Sequence, residues 1–184
     1  MHKTLALLAL LGVALLAGGC GKDKPDPTTA WANDFCSSIT TWEDSVSATA
    51  NSIAAGNLSK EGLTTAANDA KSATTKLLDD LKNLGKPPTD TGDQAKQHVD
   101  QLSSQIQDGV QTVTNSVQDA SGVSGILNAI SVASATLATM TDQVTTTLNE
   151  LKQLDGNASG ELQNGFKQAD SCKALTTTTT TTTS

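Results

Sequence analysis

The sequence predicts an all-α fold: an antiparallel bundle of four long amphipathic helices, with a short fifth C-terminal helix packed near the base. Three observations carry this. Apolar residues recur in steps of three and four through four successive segments, and no segment before Ala174 sustains the alternation that a strand requires. Clusters at Gly56-Asn57, Gly85 with Pro87-Pro88, and Ser121 to Gly125 interrupt the pattern at helix-length intervals. The abundant Ser and Thr are weak helix formers, but they fall opposite the apolar stripes, where they cost the core nothing.

The chain begins with Met1-His2-Lys3-Thr4 and an apolar run from Leu5 to Ala17, ending in Gly18-Gly19-Cys20. A basic start, a run too short for the ~20 residues of a spanning helix and a small-residue cleavage site read as a signal peptide over residues 1–19. The segment Leu16 to Cys20 resembles the lipobox of bacterial lipoproteins, although Ala17 stands where leucine is commoner. That resemblance implies diacylglycerol and palmitate attachment at Cys20, cleavage before it, and a lipid-anchored place on the extracytoplasmic face of the cell membrane. Two or three chains anchor stably, whereas one binds reversibly. Residues 20–28 (CGKDKPDPT) hold charge and proline and form a flexible tether.

The helical-bundle domain is expected over residues 29–175. Thr28 or Thr29 can cap the first helix, whose Trp31, Phe35, Ile39, Trp42, Val46 and Ile53 share one face up to Gly56-Asn57. Ser59 opens the second. Its Leu63, Ala70, Leu77 and Leu84 recur by sevens, with Ala66 or Ala67, Ala73 and Leu81 between them, a bundle seam that ends at Gly85 and Pro87-Pro88. The third starts near Thr89 to Thr91 and carries Ala95, Val99, Leu102, Ile106, Val110, Val113, Val117 and Ala120.

After Ser121 to Gly125 the stripe resumes through Ile126, Ile130, Ala133, Leu137, Met140, Val144, Leu148 and Leu151. Two antiparallel helices joined at the glycines are expected, because a single helix of about 60 residues would far exceed usual lengths. The fourth helix should end near Asp155-Gly156. A short fifth, from about Ala158 to Lys173, turns Leu162, Phe166 and Ala169 inward, and the polar tail 176–184, eight threonines and a serine, is expected to be disordered.

With Cys20 assigned to lipid, Cys36 and Cys172 form an even pair, for which an oxidising compartment makes a disulfide the default. Up-down-up-down parity delivers the fifth helix beside Cys36, independently of the cysteine count. Closing so long a loop is worth about 4 to 5 kcal/mol in the chain-entropy model.

Composition excludes several functions. The net charge is −7, and removing residues 1–19 takes one of the twelve lysines and no carboxylate, leaving −8. With no arginine there is no bidentate phosphate or base reader, so nucleic acid is not an expected partner. His98 is the one histidine after residue 19, and Asp93 and Asp100 are off its helical face. The pairs Glu43-Asp44 and Asp79-Asp80 diverge by about 100° and make no dyad. No metal site, cofactor motif or catalytic residue is expected, and the sequence does not read as an enzyme. The sequons at Asn57 and Asn157 fall in predicted turns, where Asn and Ser serve locally.

Aromatics are the remaining concentration. Trp31, Phe35 and Trp42 share a face beside Cys36, and with Phe166 they are expected to form a small core at the base or, as the functional alternative, a ligand or partner patch. The Ala, Val and Leu of the upper bundle are expected to pack tightly and leave little cavity.

Trp31-Ala32-Asn33-Asp34-Phe35-Cys36 with Ile39 and Trp42, Ser121 to Gly125, and Ala169-Asp170-Ser171-Cys172 resemble a group of actinobacterial helical lipoproteins over residues 28–175. The resemblance supports the bundle and the bridge and implies no activity. The leading functional expectation is a non-catalytic, envelope-anchored interaction or scaffold module, partnered by the bilayer through acylated Cys20 and by an envelope protein or a second copy. The alternative is a small-molecule or lipid-binding protein using the aromatic end.

Overall fold

Asp26 starts the described fold. Its carboxylate accepts from the N–H groups of Thr28 at 3.1 Å and Thr29 at 3.2 Å, while Pro27 occupies the first helical position, where its missing N–H has no intrahelical partner to lose. Helix α1 therefore runs Pro27–Ala54, starting just ahead of the threonines expected to cap it. The computed structural model describes residues 25–54, 59–154 and 160–178. The signal peptide, Cys20, Gly56-Asn57, Asp155-Gly156 and the end of the threonine tail lie outside the described residues.

Helix α2 spans Lys60–Leu84, capped by Ser59, whose hydroxyl accepts from the Gly62 N–H at 3.0 Å. It stops at Gly85, where φ is +66°, a conformation that a side chain would strain. Helix α3 spans Gly92–Asp119, and every member of its predicted stripe is buried except Val110, which is half-buried. Helix α4 spans Gly122–Gln153. Ala120 is extended between α3 and α4, so two helices form here and not one kinked rod. A Cβ on Gly125 would lie 3.3 Å from the Ala120 backbone, which explains a glycine one turn into α4.

The predicted fifth helix is in fact two, α5 (Glu161–Gln168) and α6 (Asp170–Thr178), broken at Ala169. Its stripe Leu162, Phe166, Ala169, Cys172 and Leu175 would suit a continuous helix, which is why the break is not visible in sequence. The break is held from outside the segment: the Ser171 N–H donates to the Asn33 side-chain oxygen on α1 at 3.2 Å. The expected boundary at residue 175 also moves, because α6 continues through Thr178. Leu175, 7 % exposed, anchors that last stretch to the core.

Neighbours pack in chain order, α1 on α2, α2 on α3 and α3 on α4, while α5 and α6 both lie against α1. Antiparallel order is fixed by contacts between opposite ends: the Trp31 indole N–H donates to the Gly85 carbonyl at 3.2 Å, and Leu63 shares a small cluster with Val117 and Ala120. Four long helices thus pack as an all-α bundle, and among the described residues there is no strand. At 1.5 Å per residue the 32 residues of α4 extend about 48 Å. Helices α1 and α4 barely meet at the backbone, which leaves an open edge between them.

Candidate ligand site

At the base, Cys36 and Cys172 are joined, with Cα atoms 5.0 Å apart across 136 residues of sequence. Trp31 stacks on Phe35 with centroids 5.7 Å apart, and Phe166 stands edge-on to both at 6.1 Å. These rings are between 0 and 5 % exposed, so they are packed beside the bridge, with Phe166 and Cys172 also lining a small cleft. Trp42 is buried too, but two turns beyond Phe35 along α1, where it borders a groove.

His98 is half-buried and its Nδ1 lies 2.9 Å from a Glu150 carboxylate oxygen on α4, a partner that sequence proximity could not suggest. Gln101, Gln105, Gln143, Thr139, Thr146, Thr147 and Asp142 surround this pair. Among the described residues no group of three His, Cys, Asp or Glu side chains converges on a point that could hold a metal ion.

The distal half of the bundle, away from the disulfide, departs from expectation. Between the four long helices lies an apolar cavity of about 240 Å³. Its walls include Ala66, Ala67 and Ala70 of α2, Val113 of α3, and Ala133 and Met140 of α4. The tight alanine packing expected from sequence is therefore incorrect. Tryptophan, phenylalanine and leucine set the helix spacing at the base, and stiff rods cannot close up again where the facing residues shrink to alanine. For scale, a dry apolar cavity of about 150 Å³ accommodates benzene.

Next to it, a groove of about 430 Å³ runs along the open edge between α1 and α4. Its apolar floor comprises Trp42, Val46, Leu137, Val144, Leu148 and Leu175. Val46, Ala50 and Leu137 line both spaces, so groove and cavity are neighbours across a shared wall. Two charged residues edge the groove. Burial, aided by Asp44, pushes the Glu43 carboxyl above the usual carboxylate range, and burial holds the Lys152 amine below its usual value.

No protein-family model matches the chain, and comparison with curated proteins and with solved structures returns no match. The sequence does not announce the cavity, because alanine at a seam signals tight packing as readily as a void. One signal was present: the inner face of α2 is mostly alanine from Ala66 to Ala73, opposite an α4 stretch that also carries alanine at 129 and 133.

Proposed function

We propose that the protein is a lipid-anchored, non-catalytic binding protein of the cell envelope that holds an apolar small molecule or hydrocarbon chain in the distal cavity. The envelope address rests on the sequence, through the signal segment and the lipobox-like Leu16 to Cys20. The binding role rests on one observation, the adjoining apolar cavity and groove. An apolar space of this size with few polar atoms is the form that small-molecule sites usually take. The cavity lies away from Trp31 and Phe35 of the aromatic end considered from sequence, while Trp42 of that set borders the groove.

Native mass spectrometry of protein released gently from membranes tests this reading. A co-purifying apolar ligand is expected, lost in Ala133→Leu or Ala70→Phe, which fill the cavity, and retained in Trp31→Phe at the base. Ligand-free protein that takes up no hydrocarbon probe would refute it.

A second reading, the interaction or scaffold module, is favoured by the outer end of α4. Val123 is 76 % and Leu127 57 % exposed there. Helix α4 is long and apolar enough to cross a membrane by length and composition, with mean hydropathy 1.5 in its most apolar stretch, of which 11 % is buried. Exposed apolar side chains grouped on one element mark contact surfaces. Crosslinking in intact envelopes should then capture a protein partner or a second copy through Val123 and Leu127, and Leu127→Glu should abolish the product.

A further inference from the structure

The base-proximal end of the groove carries a feature that an apolar site does not need. Lys152 edges the groove and also lines an adjoining cleft of about 270 Å³, together with Lys167, Lys173 and Gln163. Three of the twelve lysines thus gather at one mouth in a chain of net charge −7. Lys167 donates to Gln163 at 3.0 Å and Lys173 to Asp170 at 2.7 Å, whereas the Lys152 amine makes no ion pair or side-chain hydrogen bond among the described residues. Glu43 faces the groove from α1 and is the one carboxylate lining it among the described residues.

The lengths agree with a chain-shaped occupant. From Leu148 to Leu137, α4 rises about 17 Å. One leaflet's share of a bilayer's hydrocarbon core is about 15 Å, the reach of a single acyl chain. A chain with its head beside Lys152 would cover Leu175, Leu148 and Val144 and reach Leu137, which also borders the inner cavity.

We propose that the ligand is a single-chain anionic amphiphile, its acid head at Lys152, Lys167 and Lys173 and its chain along the α1–α4 groove towards the distal cavity. This rests on the binding reading above and adds the head-group chemistry and the route. A fatty acid and a lysophospholipid both supply an anionic head and one chain, so both belong to the class. The position of the lysines within the groove matters more than overall charge, since a net-acidic protein repels anions at long range.

Calorimetric titration of the purified, delipidated protein with laurate, 1-dodecanol, dodecyltrimethylammonium and a lauroyl lysophosphatidylglycerol, each below its micelle-forming concentration, tests it. Laurate should bind about tenfold more tightly than the alcohol, the scale of one charge-assisted contact. Lys152→Met should remove that difference while leaving the alcohol unchanged, and Lys152→Arg should keep it. The lysophospholipid arm tells which acid head suits the cleft: tighter than laurate assigns a phosphate, weaker a carboxylate. Equal affinity for laurate and alcohol, or a preference for the ammonium, would overturn this inference while leaving the cavity reading intact. Failure of all four ligands to bind would overturn both.

Discussion

Trp42 donates its indole N–H to the hydroxyl of Thr74 at 3.1 Å, joining α1 to α2 at the level where the packed base gives way to the cavity. Both residues are buried, at 3 and 2 % exposure, so neither group has water as a substitute. Thr74 lines the inner cavity and Trp42 the outer groove. Thr74→Val keeps the shape and removes the acceptor, leaving a buried indole N–H unpaired. A loss of about 1 to 3 kcal/mol is expected in urea denaturation, with Thr74→Ser losing much less.

The Cys36–Cys172 bridge closes a loop of 136 residues around the whole bundle. Because the main effect is on the unfolded chain, the double variant Cys36→Ala/Cys172→Ala should fold to the same far-UV spectrum yet lose about 4 to 5 kcal/mol. Reductant should bring the parent protein to the variant's melting temperature and leave the variant unchanged.

Gly165 marks the closest approach of α5 to the start of α1. A Cβ there would meet the Thr28 side chain at 3.0 Å and its backbone carbonyl at 3.1 Å. Helix propensity alone favours Gly165→Ala, but backbone atoms cannot move aside as a flexible side chain can. Overpacking should prevail, with a loss of about 1 to 3 kcal/mol measurable by thermal unfolding.

Glu43 gives a pH signature. Its folded pKa is raised by burial and by Asp44, so the folded state holds its proton more tightly than the unfolded chain does. Its ionisation costs stability, and the cost is absent below the ordinary value of 4.5 and develops as pH rises through and above it. Glu43→Gln should therefore be more stable than the parent at neutral pH and indistinguishable from it in this respect at pH near 4. Denaturation midpoints at the two pH values check this, and a difference that grows on acidification would contradict it.

Periodicity fixes much of this protein before any contact is considered. The stripe of α3 from Ala95 to Ala120 is almost wholly buried, Ser59 caps α2, and Gly85 with Pro87 ends it, because each feature depends on residues within a turn or two of itself. Helix parity even brought Cys172 to Cys36, since short connections leave few ways to return. His98 shows where local reading stops: its partner Glu150 is on another helix, and no spacing rule links them.

What tertiary structure alone decided has a common cause in the spacing between rigid elements. The interruption at Ala169 depends on Asn33, which lies far away in sequence, and the Gly165 contact depends on the angle at which α5 meets α1. The cavity likewise belongs to no single helix: alanine-rich faces of α2 and α4 leave it because bulky residues at the base set the helix separation. A stripe states which face turns inward, while the distance between inward faces is a property of the whole bundle, and that distance leaves the cavity.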